Sequence, residues 1–362
     1  MSDLKSTPLC GRHLQCGARM VPFSGWNMPV QYSEGILAEH QHTRTAVSLF
    51  DCSHMGQFRL KGAASAAALD AILPRLASTQ KNGTCRYNFL TNESGGVIDD
   101  IIVYRVAADE FFIVVNAGTI AGDAAWIRSH LPAGVEFADE SDDTAKLDLQ
   151  GPGSFAALAA AGICREDIPR YFRFTHTTLN GQPILLSRTG YTGEAGVEIY
   201  VAADKAAEMW DFLLALPQVK PAGLGARDTL RLEMAYPLYG HELNTETTPV
   251  EAGFGAMLNL DHDFVGGEGV RAAARKELVG IALESRRAAR EGTKVLDADN
   301  NPIGTITSGS FAPSVGVAVA MAYISPGSTR TGDSVQLPVG RNLLPGKIVP
   351  LPFYQQGTAR QL

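Results

Sequence analysis

The chain has 362 residues, 45% of them hydrophobic and 19% charged, a composition that builds buried cores and excludes a disordered protein. Its length predicts two or three domains rather than one core. A net charge of −7 argues against nucleic acid as the main partner, and no run of about 18 uninterrupted apolar residues suggests a membrane span. The opening "MSDLKSTPLCGRHL" lacks a basic segment followed by an apolar core, so no signal peptide is expected. Cys10, Cys16, Cys52, Cys85 and Cys164 are odd in number and widely spaced, with no C-x-x-C pair. Neither a disulfide framework nor a zinc site is indicated, and a reducing cytoplasm is the expected location.

In chain order, "EHQH" offers His40 and His42, spaced to ligand a metal from a strand. No third ligand lies nearby, so solvated histidines and no metal are expected. "DCSHMGQF" sets Asp51, Ser53 and His54 together, but without a nucleophile elbow a hydrolase triad is not expected. "QFRLKG" reads as a strand and "AASAAALDAILPRL" as a helix. "CRYNFLTNESGGVIDDIIVYRV" and "EFFIVVNAG" read as strands with a turn at Asn92–Gly96, followed by a helix in "TIAGDAAWIRSHL". This order predicts an α+β unit with an antiparallel or mixed sheet.

From about residue 145 the pattern repeats in kind. "KLDLQGPGSFAALAAAG" gives a strand, turn and helix, and "QPILLSRTGYTGEAGVEIYVA" a hairpin. "KAAEMWDFLLAL" is a helix with Met209, Trp210 and Leu213 inward, and "PAGLGARDTLRLEMAYPLYG" a helix ended by Pro237. "GLGARD" lacks the third glycine of a dinucleotide fingerprint, and no phosphate-binding loop occurs. From "ELVGIALES" onward, short β segments broken by Gly and Pro predict a small barrel or sandwich over 276–362.

"SGGVIDDIIVY" places Asp99 and Asp100 inside an apolar strand. Alternation puts Val97, Asp99, Ile101 and Val103 on one face and Ile98, Asp100, Ile102 and Tyr104 on the other. Both faces are apolar, so at least one carboxylate lies where water is scarce, at a cost of several kcal/mol unless it is paired or protonated. The pair either caps a local turn or presents a carboxylate to a ligand, and spacing alone does not say which aspartate would do so. Glu198 sits in a strand after a glycine-rich turn, solvent-facing or lining a cleft. Arg227 and Arg231 lie one helical turn apart, where ion pairs with Asp228 or Glu233 are the ordinary expectation.

Taken in order, eight segments resemble the glycine cleavage T-protein (aminomethyltransferase) family. They are "CGARMVPFSGWNMPVQY", "LFDCSHMGQ", "SGGVIDDIIVY", "LDLQGP", "SRTGYTGEAGVEI", "PAGLGARDTLRLE", "PLYGHEL" and "TITSGSFAPSVG". The resemblance implies an α+β multidomain fold in which two related α/β units and a small C-terminal β-barrel surround a central folate-binding cavity. The two units would fill 1–275, with a boundary near 145. It also implies transfer of an aminomethyl carbon from the dihydrolipoyl arm of a lipoylated H-protein to tetrahydrofolate, giving 5,10-methylenetetrahydrofolate and ammonia. By similarity Asp99 is the catalytic carboxylate, with Asp100 pointing away as support. Glu198, Arg227 and Tyr191 match folate-binding positions, and Tyr87, Asn116 and Met55 match positions lining the pocket.

Two other functions fit parts of the pattern. A folate-dependent demethylase of a small S-, O- or N-methyl compound would share the scaffold and differ on the donor side. A non-catalytic folate-binding protein would carry a K-G-C-Y-x-G-Q-E segment, which this chain lacks.

Overall fold

A computed structural model describes residues 4–361. Two sheets and a barrel carry the fold. The first sheet orders Thr84–Thr91, Val97–Ala107, Glu110–Val115, Gly56–Lys61 and Glu136–Asp139, all antiparallel. The second orders Phe174–Leu179, Gln182–Ser187, Gly196–Ala202, Thr144–Gln150, Val47–Asp51 and Val219–Pro221, antiparallel except for the last pair. Val47–Asp51 precedes the expected boundary near 145 yet pairs inside the second sheet, against Leu147–Gln150. The two units are therefore interleaved, not consecutive.

Alternation along each strand sends one face to helices and the other to the opposite sheet. In the first sheet Ile101, Val103, Phe111, Ile113 and Val115 pack with Leu69, Ala124 and Ile127 of the flanking helices. In the second, Leu147, Leu149, Val197 and Ile199 pack with Leu158, Met209, Trp210 and Leu213. The other faces meet: Cys85, Tyr104, Phe112 and Val114 lie against Phe174, Leu185 and Tyr200. The result is helix, sheet, sheet, helix, with polar side chains between the sheets beside that apolar cluster.

Glu277–Leu283 opens a closed six-stranded barrel, where the composition changes at Lys276. The helix Leu224–Glu233 joins it to the sheets, because Leu232 packs with Val319 and Met321. That helix stops before Pro237, and the predicted 63–76 helix is only Ser65–Asp70. Beyond it the Asp70 carboxylate accepts from the N–H groups of Ala77 and Ser78, while Ile72 and Leu73 turn inward. "EHQH" is helical, within Ile36–Thr45. His40 is buried against Thr229 and Ser314 rather than solvated, and His42 bonds the carbonyls of Val47 and Gln218. Among the described residues no helix is long and apolar enough to cross a membrane.

Candidate functional site

The turn before the carboxylates is built for close approach. Asn92 accepts from the N–H groups of Ser94 and Gly96, and Gly95 adopts φ +86°. A Cβ on Gly96 would stand 1.9 Å from the Thr245 carbonyl oxygen, so only glycine fits. Beyond the turn, Thr91 pairs with Val97 but Leu90 with Asp99, leaving Ile98 as a bulge. The bulge turns Val97 to the side of Phe89 and Leu243, away from the face expected for it.

Register then decides where each aspartate points. Asp99 lies opposite Leu90 and in line with Ile101 and Val103, on the helix side, and is fully buried. Asp100 lies opposite Phe89 and in line with Ile102 and Tyr104, on the side facing the second sheet. The expectation that Asp99 faces the cavity and Asp100 turns away is thus reversed.

One residue ties the two together. The Asn116 amide nitrogen donates to Asp99 Oδ1 and to Asp100 Oδ1, each at 2.8 Å, and its backbone N–H donates to Asp99 Oδ2 at 2.9 Å. Tyr87 donates its hydroxyl to Asp100 Oδ2 at 2.9 Å. Asp123, on the helix Ile120–Ser129, is a buried neighbour of Asp99, and neither of its carboxylate oxygens has a hydrogen-bond partner. Burial, then this neighbouring carboxylate, pushes Asp99 well up. Burial and the neighbouring Asp99 raise Asp100 to about 7, against the lowering donors Tyr87 and Asn116.

From the facing side the second sheet supplies Glu198. Its Oε1 accepts from Lys146 Nζ at 2.8 Å, and its Oε2 accepts from Thr189, Tyr200 and Tyr104 at 2.7, 3.0 and 3.2 Å. Arg227, from the helix Leu224–Glu233, donates to Asp148 at 2.9 Å and lies under the Tyr191 ring, 4.9 Å from its centroid. Arg231 takes Asp228 as expected, together with Glu242. Met55 bridges the apolar clusters around Phe50 and Tyr104. Tyr87 and Asn116 thus stand with Asp100 on the first sheet, Glu198 lies on the second with Arg227 and Tyr191 beside it, and Met55 packs between, while Asp99 stands behind the first sheet.

The sequence reading passed over Lys146 and Asp148. Their signal is in "AKLDLQ", where charges alternate with Ala145, Leu147 and Leu149. Burial disfavours the Lys146 ammonium, but Asp148 and Glu198 outweigh that and hold it above the ordinary lysine range. Asp51 accepts from His13, Thr7 and the Ser53 N–H, and His54 Nδ1 is buried without a partner. No nucleophilic triad forms there.

Two facing sheets with helices outside, polar side chains between them and an appended barrel define a three-part α+β architecture. The GCVT N-terminal domain family matches residues 9–262, and the glycine cleavage T-protein C-terminal barrel domain matches 276–355. The chain is 41% identical to an aminomethyltransferase of Moorella thermoacetica over 367 residues, covering 98% of this chain and 99% of that one. It is 40% identical to one of Synechococcus elongatus over 365 residues, covering 98% and 97%. The crystal structure of glycine cleavage system aminomethyltransferase T from Bartonella henselae superimposes with a TM-score of 0.92 at 32% identity, covering 98% and 99%. The chain belongs to the glycine cleavage T-protein family of aminomethyltransferases.

Proposed function

We propose that the polar zone between the two sheets is a cleft that binds tetrahydrofolate and that the chain transfers to it the aminomethyl carbon carried on the dihydrolipoyl arm of a lipoylated H-protein. The carbon leaves sulfur and nitrogen and bonds to the two folate amines. Their two hydrogens complete the thiol and the ammonia, and 5,10-methylenetetrahydrofolate remains. Such an exchange calls for a group that takes and returns a proton near neutral pH while holding the amine in line.

Asp100 carries this reading: it is the carboxylate on the cleft side, it is held by Tyr87 and Asn116, and it sits at about 7. In this assignment Glu198 accepts from the pterin ring's amino and N–H groups, on Oε1 beside Lys146. Arg227, stacked on Tyr191, complements a ligand carbonyl or carboxylate. Met55 supplies an apolar wall and Asn116 fixes the carboxylate. Asp99 supports from behind.

The test is reconstitution with tetrahydrofolate and H-protein loaded with the aminomethyl group. Ammonia and methylenetetrahydrofolate should appear together. Methyl transfer from a sulfonium or methoxy compound, without ammonia release, would establish the demethylase instead.

A further inference from the structure

Lys146 and Asp148 are charged residues inside the second sheet, and neither has a place in the folate contacts above. Their side chains are 1% and 0% exposed, and a buried charge is costly unless it is paired. Lys146 Nζ donates to Asp148 Oδ1 at 2.5 Å and to Glu198 Oε1 at 2.8 Å, while Arg227 Nη1 donates to Asp148 Oδ2 at 2.9 Å. Two cations and two carboxylates therefore close a neutral quartet beneath the cleft. Arg227 and Glu198 keep 14% and 9% of their side chains exposed, so these two form its upper layer.

We propose that Lys146 and Asp148 are positioning residues for folate binding: Lys146 holds the Glu198 side chain at the cleft floor, Asp148 holds Arg227, and affinity follows the charge balance of all four. This rests on the reading that Glu198 and Arg227 meet the ligand. Lys146 itself lies too deep to touch it. The other titratable groups around Glu198 are Tyr104, Tyr200 and Cys85, each kept above its ordinary range chiefly by burial, so none of them ionises near neutral pH. Removal of the ammonium would leave two buried carboxylates against one guanidinium. Arg227 contacts Asp148 and not Glu198, so Glu198 takes up the compensating proton and loses acceptor strength toward the pterin donors.

The experiment measures tetrahydrofolate affinity of the full chain by calorimetry from pH 6 to 9. The wild-type profile, which carries the titration of Asp100 in the same site, is the reference. K146M should bind at least about tenfold more weakly than wild type at pH 6, and the gap should close as the pH rises. K146M/D148N, which removes one charge of each sign, should follow the wild-type profile within about threefold at every pH. A K146M-to-wild-type ratio that does not change with pH, or a paired variant whose ratio is as large and as pH-dependent as that of K146M, overturns the proposal. If K146M does not fold, the paired variant must still fold and bind in parallel with wild type, and its failure to do so is equally fatal. E198Q separates the two readings. Unchanged affinity in E198Q removes Glu198 from the ligand and with it the basis of the quartet, whereas weakened E198Q beside a normal K146M overturns the quartet alone.

Discussion

Asp100→Asn separates the cost of the cleft carboxylate from its use. In the fold this carboxyl rises from 3.8 to about 7, chiefly through burial and the Asp99 charge. A rise of about three units disfavours ionisation by roughly 4 kcal/mol, and partial exposure of the group reduces this to about 2 kcal/mol. The folded pKa lies above the unfolded one, so the protonated form stabilises the fold fully below 3.8, and that contribution is lost as pH climbs through about 7. Asparagine does not titrate. Its amide would face the Asn116 amide donor, adding an offset that is constant with pH. Urea unfolding should therefore show the difference between variant and wild type moving in the variant's favour by somewhat over ~1 kcal/mol between pH 5 and 8. Over the same range, transfer by the wild type should rise through pH about 7, while D100N should be flat and some 10²–10⁴-fold slower. Parallel stability curves for the two proteins, or full transfer by D100N, would refute the reasoning.

Asp99→Asn leaves the cleft carboxylate in place and costs one hydrogen bond to Asn116, so transfer should fall roughly fivefold; a loss as large as that of D100N would put the catalytic charge behind the sheet. Tyr87→Phe removes a donor that lowers Asp100, so the ascending limb of the pH–rate profile should move above pH 7, and an unmoved or downward-shifted limb contradicts the geometry. Gly96→Ala drives a Cβ against the Thr245 carbonyl and should cost at least ~2 kcal/mol in urea unfolding, with unchanged stability showing that the turn can relax.

Local signals were legible and pairings were not. Alternation in "VIDDIIVY" correctly set Asp99 and Asp100 on opposite faces, but both faces carry apolar residues, so nothing local says which meets the second sheet. The bulge at Ile98 depends on the register with Leu90 and Thr91, which is a property of two strands. Val47–Asp51 reads as an ordinary strand, yet its partner is Leu147–Gln150, about a hundred residues on. That long-range pairing interleaves the units and erases a boundary at 145. The barrel was legible because short strands broken by Gly and Pro begin abruptly after Lys276, and the helix over Met209, Trp210 and Leu213 because its apolar spacing is helical. Lys146 and Asp148 were legible in principle, since two charges alternating with aliphatics in a central strand need partners.

Adjacent aspartates in one strand confront the same burial cost on two sides of a sheet, and the fold meets it differently on each. Asp99 is fully buried beside Asp123, and burial and then that neighbour push its carboxyl well up. Asp100 accepts from two neutral donors and is half-buried on the side facing the second sheet, and its carboxyl is raised only to about 7. Asn116 follows the end of the strand Glu110–Val115, where its side chain is free to reach both carboxyls. Because it donates to each, the charge on the buried pair is felt at Asp100, which Asp99 already pushes upward. Asp99 thus tunes Asp100 from a fully buried place behind the sheet.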